Sequence, residues 1–266
     1  MISEVQYATE FSISRPFSLK AMLKRLYYFG FRYRCPLCHS QLRRFLPYGL
    51  NIQVLNDNDV IGGGFRKHAL CPVCGSLDRE RLLYLYLLHK TNVFVSNLRL
   101  LHIAPEALIT DILCLRENVS YLTADISSKS VMIRMDVLDI QFPDNSFDAI
   151  ICNHVLEHII DDGKALSELY RILKPEGWAI LQVPISLTLE KTLEDFAITS
   201  FSGREEAFGQ GDHVRIYGRD YERRLSRAGF IVDVFSWSAE AENFGNSLNL
   251  FGLNAKESLY SVRKPK

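Results

Sequence analysis

Long apolar runs are missing from this sequence. No stretch of its 266 residues approaches the roughly 18 consecutive apolar residues that a membrane-spanning helix needs. The N-terminus also lacks the compact apolar stretch and the cleavage site of a signal peptide, so we expect a cytoplasmic protein. Internal repeats and low-complexity tracts are absent too, which argues against solenoids and disordered chains.

The formal net charge is zero, because 31 Lys and Arg residues balance 31 Asp and Glu residues. The charges are nevertheless segregated: residues 1–90 hold 13 basic and 6 acidic side chains, and residues 91–266 hold 18 and 25. A basic N-terminal part could contact nucleic acid, a membrane or an anionic substrate, or it could dock on the acidic remainder. A basic amphipathic helix predicted at 17–29 leaves a weak peripheral membrane contact open.

Cysteine is scarce, yet four of the six cysteines form two matching CPxC knuckles. Two tight turns that each offer a thiol pair build a tetrahedral four-sulfur site that suits zinc, and a cytosolic chain has little reason to form disulfides instead. A redox pair explains two knuckles less well than one. We therefore predict structural Zn²⁺ at Cys35, Cys38, Cys71 and Cys74. The spare candidate ligands are His39 and His68.

From residue 98 onward, strand and helix signals alternate, which predicts a doubly wound parallel sheet with right-handed crossovers. One crossover, between Asp125 and Val131, is too short for a helix; either it is a turn or the strand predicted after it is wrong. The predicted organisation is a basic segment with a helix (1–34), a zinc-ribbon-like module (35–76) with short strands at 53–55 and 65–70, a connecting helix (77–97), and an α/β domain (98–266) with an insertion at 184–216.

Polar residues follow the predicted strands 119–124, 131–137 and 147–152. Open α/β sheets bind ligands beyond the carboxyl ends of their strands, and an acid that closes the second strand can reach ribose hydroxyls. Asp125 occupies that place, Asp136 ends the next strand, and Asn153 follows the strand after it. The sequence therefore predicts a ligand site at this edge of the sheet.

Three segments carry a family resemblance: MDVLDIQFPDNSFD (135–148), FDAIICNHVLEHI (147–159) and LKPEGWAILQVP (173–184). They resemble class I S-adenosylmethionine-dependent methyltransferases of the type 11-like group, and the chain looks like bacterial members that carry a zinc ribbon. The resemblance covers about 98–263. It implies a seven-stranded, mostly parallel Rossmann-like sheet with an antiparallel last strand, and S-adenosyl-L-methionine bound across the carboxyl ends of the first strands.

The resemblance also implies roles for individual residues. Asp125 would bind the ribose, Asp136 would accept from the adenine amino group, and the Val137 amide would donate to the adenine. Asn153 and His154 would lie beneath the methionine portion. The expected cofactor-binding residues are His102, Ala104, Pro105, Glu106, Asp125, Ile126, Asp136, Val137, Asn153 and His154.

The turn after the first strand departs from the family pattern, which has an acid and a glycine-rich turn there. Ala104 and Pro105 take away the freedom with which glycines let the backbone approach a ligand. Pro105 suits a first helical position, and Glu106 could meet the ammonium group of the cofactor.

The long connection at 184–216 lies where this class of enzymes carries acceptor-binding elements, and we expect it to form a lid. His213, beside Asp212, is the first candidate for a general base, and His154 is the second. A small-molecule or glycan-type acceptor is our first hypothesis. The alternatives are an RNA methyltransferase, for which the basic N-terminal part would contact phosphates, and a catalytically degenerate binding protein.

Overall fold

The computed structural model describes residues 19–240 and 242–266, so the first residues of the predicted 1–34 segment lie outside the described range. The helices are α1 (Leu19–Tyr28), α2 (Gln53–Asp57), α3 (Asp78–Lys90), α4 (Ala107–Leu113), α5 (Asp162–Ile172), α6 (Phe201–Phe208) and α7 (Tyr221–Arg227). The strands are β1 (Tyr33–Arg34), β2 (Gln41–Leu42), β3 (Leu46–Tyr48), β4 (Val60–Ile61), β5 (Arg66–Leu70), β6 (Leu98–Ile103), β7 (Val119–Asp125), β8 (Ile133–Arg134), β9 (Phe147–Cys152), β10 (Leu173–Ile180), β11 (Ile185–Ser186), β12 (Leu193–Glu194), β13 (Arg215–Ile216), β14 (Ile231–Ser236) and β15 (Ser258–Arg263).

A seven-stranded sheet in the order β14, β15, β10, β9, β6, β7, β8 forms the centre of the molecule. β15 runs antiparallel to both of its neighbours, and the pairs from β10 to β8 are parallel. The prediction of a seven-stranded, mostly parallel sheet with an antiparallel last strand is confirmed. Its Rossmann-like order places the first strand, β6, beside β9 at the middle of the sheet.

Helices cover both faces of the sheet, so its central strands are apolar on both sides. Leu100 and Ile151 belong to a core beneath α3, α4 and the cysteine knuckles. Their chain neighbours Leu101 and Ile150 belong to the opposite core, beneath α5 and α7. This alternation is the period of two of a strand, and it leaves only the strand ends free to carry polar groups.

The short crossover between β7 and β8 is a turn. The segment 126–132 contains no helix, and β8 has only two residues where the sequence predicted a strand over 131–137. Side chains hold this turn in place of a helix: the Met132 amide donates to Thr123 Oγ1 at 2.9 Å, and Arg134 Nε donates to the Ile126 carbonyl at 2.9 Å. The strand prediction was therefore too long, because the connection is too short to align more residues.

The strand predicted at 53–55 is wrong, because this segment is the helix α2. Leu55 packs into a small core with Val60, Phe208 and Ile216, which joins the segment to the insertion. β4 and β11 also pair, with Ile61 opposite Ile185. The residues between the knuckles therefore pack on the insertion at 184–216, a long-range contact that local sequence signals do not encode.

Helix α1 has no buried residue, and five of its large apolar side chains are exposed: Leu19, Met22, Leu23, Leu26 and Tyr27. The prediction of a peripheral membrane contact stays a prediction. Within the described part of the chain, no helix is both long and apolar enough to cross a bilayer.

Arg81, in α3, joins the cysteine module to the rest of the protein. Its side chain has no exposed surface and donates five hydrogen bonds of 2.8–3.2 Å to backbone carbonyls. Three of these carbonyls belong to the module and two to the segment before β15: His68, Ala69, Ser76, Phe251 and Gly252. The guanidinium also stacks on Phe45 at 3.9 Å. No lysine offers this planar set of donors.

We predict that Arg81→Met lowers the free energy of unfolding by about 3–5 kcal/mol, because it leaves several buried carbonyls without a donor. Arg81→Lys should recover only part of that loss. Urea denaturation measures both. Arg227→Met, at an exposed arginine, is the control and should change stability by about 0.5 kcal/mol or less. A loss of that small size for Arg81→Met would contradict the role of Arg81.

Candidate functional site

The four knuckle cysteines converge into one cluster. Cys35 Sγ lies 3.7 Å from Cys74 Sγ, and Cys38 Sγ lies 3.8 Å from Cys71 Sγ. Four sulfurs bound tetrahedrally to zinc at about 2.3 Å would be about 3.8 Å apart, so the spacing fits zinc. All four cysteines are free of disulfides. The spare candidates His39 and His68 are not part of the cluster.

The altered turn after β6 keeps a backbone shape that usually belongs to glycine. Ala104 has φ +48°, in the left-handed region, and its amide donates to the Ala124 carbonyl at 2.9 Å. A side chain in that region costs about 1–2 kcal/mol, so the alanine accepts strain to retain the bend. Pro105 does not occupy the first helical position, because α4 begins at Ala107 with Glu106 as its N-cap.

Glu106 is fixed as a carboxylate at this turn. One of its oxygens lies 2.7 Å from His102 Nε2, and the other accepts from Asn153 Nδ2 at 3.1 Å. Burial would raise the pKa of Glu106, but the hydrogen bond and charge of His102, together with Asn153, bring it to about 2. His102 is itself buried, with Nδ1 2.8 Å from the Tyr121 hydroxyl. It therefore lies behind Glu106 and orients it, without a surface of its own in the cleft.

Asp125 ends β7 with one carboxylate oxygen committed and the other available. Oδ1 accepts from the Ser127 amide, the Ser127 hydroxyl and the Ser128 amide at 2.7–3.1 Å. Burial would raise the pKa of Asp125, but these bonds lower it. The neighbouring Ile126 is 55% exposed and offers an apolar surface. Such a carboxylate can accept from a pair of ligand hydroxyls.

Asp136 and Val137 follow β8 at the same edge of the sheet. Asp136 Oδ1 accepts from the Leu138 amide at 2.8 Å, and the Val137 side chain is buried in the core beneath α5. Val137 comes directly after Asp136, so its backbone lies at the same edge of the sheet. The structure thus brings both predicted acids to the carboxyl edge of the sheet: Asp125 at the end of β7 and Asp136 just after β8.

Several buried polar atoms beside Glu106 have no hydrogen-bond partner among the described residues. They are Asn153 Oδ1, His154 Nε2, Arg79 Nε and both carboxylate oxygens of Glu257. The corresponding side chains and Glu106 line a cavity of about 10 Å³, which has room for about one water. Buried polar groups are nearly always satisfied, so this cluster indicates a polar ligand group.

A larger cavity of about 710 Å³ opens next to that cluster. Its walls come from four parts of the chain: the segment 48–66 between the knuckles, Arg79 of α3, the segment after β9, and the insertion. Arg79 and His154 line both cavities, so they stand where the two meet. The insertion therefore forms one wall of a pocket, as expected of a lid.

The insertion brings His213 into this wall. His213 is only 4% exposed, and its ring meets the His158 ring edge to face at 4.7 Å. Burial lowers the pKa of His213. The carboxylate of Asp212 lies 3.4 Å from His158 Nδ1, so Asp212 pairs with His158.

Comparisons with known proteins agree with this arrangement. Residues 98–181 match the family model of a methyltransferase domain. This segment is a class I methyltransferase domain. A ubiquinone/menaquinone biosynthesis C-methyltransferase from Psychromonas ingrahamii is 35% identical over 79 residues, which are 30% of this chain and 27% of that protein. An uncharacterized protein from Methanocaldococcus jannaschii is 42% identical over 72 residues, 26% of this chain and 32% of that protein. The chain thus spans less than a third of the length of these relatives.

Solved structures similar to this chain include two methyltransferases. One is the Burkholderia thailandensis 1,6-didemethyltoxoflavin-N1-methyltransferase, with 13% identity and a TM-score of 0.47 over 71% of this chain and 78% of that chain. The other is Haemonchus contortus phosphoethanolamine N-methyltransferase 2, with 18% identity and a TM-score of 0.46 over 70% of this chain and 53% of that chain. At these values neither structure bears on the acceptor of this protein.

The site also contains residues that sequence reasoning missed. Glu157 and His158 lie in the HVLEHI segment that carried the resemblance, and the motif was itself the signal for them. Arg79 and Glu257 have no such signal, because α3 and the segment before β15 reach the site only through the fold. A Cβ on Gly62 would lie 3.4 Å from Glu257 Oε1 and 3.5 Å from His154 Cε1, so the cysteine module touches the site directly.

Glu257 gives the methyltransferase domain a measurable pH dependence. Burial, and then the charge of Asp78, raise its pKa from 4.5 to about 7. The folded state therefore holds a proton between about pH 4.5 and 7 that the unfolded state has lost. The stability that the neutral acid contributes is complete below that window and is lost as pH rises through it.

We predict that the unfolding free energy of the wild type falls by about 2–4 kcal/mol more than that of Glu257→Gln between about pH 4.5 and 8. Chemical denaturation across this range compares the two pH dependences, which cancels the titrations that they share. Parallel pH profiles would show that Glu257 is ionised at neutral pH without cost.

Proposed function

We propose that this chain is an S-adenosylmethionine-dependent methyltransferase acting on a small-molecule or glycan-type acceptor. The observation that carries the proposal is the cluster of unsatisfied buried polar atoms at the carboxyl edge of a methyltransferase-domain sheet, beside a cavity of about 710 Å³. Pockets for small ligands usually measure about 300–1,000 Å³. Cytoplasmic localisation stays a prediction.

The adenosine end of the cofactor fits the outer part of this edge. The available Oδ2 of Asp125 would accept from the ribose hydroxyls, and Ile126 would pack on the adenine. Asp136 would accept from the adenine amino group, and the Val137 amide would donate to the ring. These roles use acceptors at the strand ends of an open sheet, where such ligands bind.

We place the methionine end of the cofactor at the inner part, where charges are buried; the cavity there has room for about one water and must widen to admit it. Its ammonium group would lie between the carboxylates of Glu106 and Glu257, and Asn153 Oδ1 would accept from it. The Arg79 guanidinium would meet its carboxylate, which gives the unpartnered Nε an acceptor. The contacts to Glu257, Asn153 Oδ1 and Arg79 Nε each satisfy an atom that is buried without a partner among the described residues, and burying polar groups is tolerable only when they are satisfied.

When bound, the cofactor supplies an electrophilic methyl group on a sulfonium. Methyl transfer is an in-line displacement, so the main task of the protein is to position the acceptor. His154 stands between the two cavities, with Nδ1 3.4 Å from Glu157 Oε1 and Nε2 without a partner among the described residues. We propose His154 as the base for an acceptor that arrives protonated, with His213 as the second candidate on the far wall.

The acceptor cavity favours a small molecule that carries an anionic group. Arg66 and Arg79 line it, and each has a guanidinium nitrogen without a partner in the described structure. Arginine forks bind carboxylates and phosphates in two-point contacts. Two curated relatives with a named activity are ubiquinone/menaquinone biosynthesis C-methyltransferases, which supports a small acceptor over RNA.

We further propose that the cysteine module binds structural zinc. The sulfur spacing fits the ion, and the buried Arg81 cation beneath the knuckles would offset part of the negative charge of four thiolates. Arg81 has no exposed surface; burial lowers its pKa, and the charge of Cys35 opposes that lowering. The zinc would fix the module, and through it the walls of the cavity that Gly62 and Arg79 provide.

We predict that Asp125→Asn and Asp136→Ala each weaken binding of S-adenosylmethionine about ten- to a hundredfold, because each removes a charged hydrogen-bond acceptor worth about 1.5–3 kcal/mol. Isothermal titration calorimetry measures this directly. Asp233→Asn, at an exposed acid on β14 far from the cleft, is the matched control and should bind as the wild type does.

A wild type that shows no cofactor binding at millimolar concentration would overturn the enzyme proposal and leave the degenerate binding protein. If the cofactor binds, RNA retention at increasing salt separates the acceptor classes. Retention that falls steeply with salt, together with methylation of the retained RNA, would favour the RNA methyltransferase over the small-molecule enzyme.

We predict one zinc per chain in protein purified without chelator, and loss of that zinc in Cys38→Ser and Cys74→Ser. Because binding energy at such sites is folding energy, these variants should also unfold the module. Metal analysis and limited proteolysis check the two effects. Cys114→Ser, at an exposed cysteine outside the cluster, should retain the zinc. Protein without stoichiometric metal would contradict the four-cysteine site.

A further inference from the structure

We propose a second metal site, in which Glu157, His158 and His213 bind a first-row divalent cation at the floor of the acceptor cavity. One ligand atom from each of the three side chains lies within 4.8 Å of the other two. An ion with ligands at 2.0–2.2 Å needs them about 3.4 Å apart in a tetrahedral arrangement. Small rotations of the three side chains would bring their ligand atoms from within 4.8 Å of one another to the spacing of about 3.4 Å that the ion needs. All three residues line the cavity.

Glu157 provides an independent reason for a cation here. The residue is 2% exposed, one of its oxygens faces His154 Nδ1, and Oε2 is buried without a partner in the described part of the chain. A buried carboxylate oxygen is costly unless a donor or a cation satisfies it. The nearest groups that complete the cluster are the two imidazoles, each of which supplies a lone pair when it is neutral.

His158 has the partners that metal-bound histidines usually have. Its Nδ1 lies 3.3 Å from the Asp212 carbonyl oxygen and 3.4 Å from the Asp212 carboxylate. The tautomer that donates from Nδ1 keeps the lone pair on Nε2, which is the nitrogen left for an ion. A histidine held by a carboxylate on one nitrogen and by a metal on the other is the usual arrangement around such ions. This also gives Asp212 a purpose beside His158.

The donor set limits the kind of ion. Two imidazoles and one carboxylate suit Zn²⁺, Mn²⁺ or Fe²⁺, and they differ from the all-sulfur set of the knuckles. Three protein ligands leave a coordination position open, as in sites that bind a substrate or water. The open position faces the acceptor cavity, because the three ligands form part of its wall.

This inference names the acceptor class, and in that respect it rests on the proposed function. An acceptor with an oxygen donor, such as a hydroxyl or carbonyl next to its anionic group, would complete the coordination and be held beside His154. As a ligand, His213 commits its lone pair to the ion. His154, which has no place in the cluster, then remains the base.

The test uses the full chain with zinc in its cysteine site, titrated with Co²⁺. We expect one additional Co²⁺ per chain, with visible d–d bands and without thiolate-to-cobalt charge transfer. Glu157→Gln and His158→Ala should weaken its binding about a hundredfold or more. Asp212→Asn should weaken it about ten- to a hundredfold, because it removes the carboxylate that faces His158 Nδ1. His68→Ala, at an exposed histidine outside the cavity, is the matched control and should bind as the wild type does.

His213→Ala removes a buried ring, so its circular dichroism spectrum must first match that of the wild type; His158→Ala tests the site without that requirement. Absence of a second Co²⁺, a thiolate charge-transfer band for it, or undiminished binding in Glu157→Gln and His158→Ala would each overturn the inference. Calorimetry with S-adenosylmethionine is read separately. Co²⁺ binding without cofactor binding would contradict the proposed function alone, and the reverse result would contradict the metal site alone.

Discussion

The buried guanidinium of Arg81 is the interaction on which the rest of the structure depends. It ties three carbonyls of the cysteine module to two carbonyls that precede β15. A charge without exposed surface is stable only when every donor is satisfied, so this contact specifies one arrangement of module and sheet. That arrangement positions Gly62 and Arg79 at the site. The hydrogen bond to Gly252 also helps to position Glu257, which lies five residues later in the chain.

The carboxyl edge of the sheet concentrates strain and buried charge in the same place. Ala104 and His154 both have left-handed backbones, with φ +48° and +54°, and they follow adjacent parallel strands. Glycine would adopt this backbone conformation at lower energy at either position, and such strain persists only where the surrounding structure enforces it. The carboxylates of Glu106 and Glu257 line the same small cavity as His154 and differ in pKa, about 2 and about 7. The difference arises because His102 and Asn153 satisfy the first, and nothing among the described residues satisfies the second.

The cavity beside this edge belongs to no single part of the chain. Glu157 and His158 come from the methyltransferase domain, His213 from the insertion, and Arg66 from the segment between the knuckles. β4 and β11 join the last two parts directly. An acceptor held there would contact all three at once, so under the proposed function the module and the insertion would take part in acceptor choice. This is a physical reason for a zinc-ribbon-like module on such an enzyme, beyond stability.

The sequence by itself determined the features that depend on local pattern. β6 and β9 lie where apolar runs predicted them, the cysteines meet because two tight turns can pair in few ways, and Asp125 and Asp136 follow strands whose ends must share one edge. Tertiary structure decided the rest. Segment 53–55 is helical because Leu55 packs against Phe208, about 150 residues later in the chain. Asp212 pairs with His158. Glu257 is buried by a module that lies nearly two hundred residues earlier. Burial, docking and the desolvation of charge depend on distant neighbours, and no local periodicity reports them.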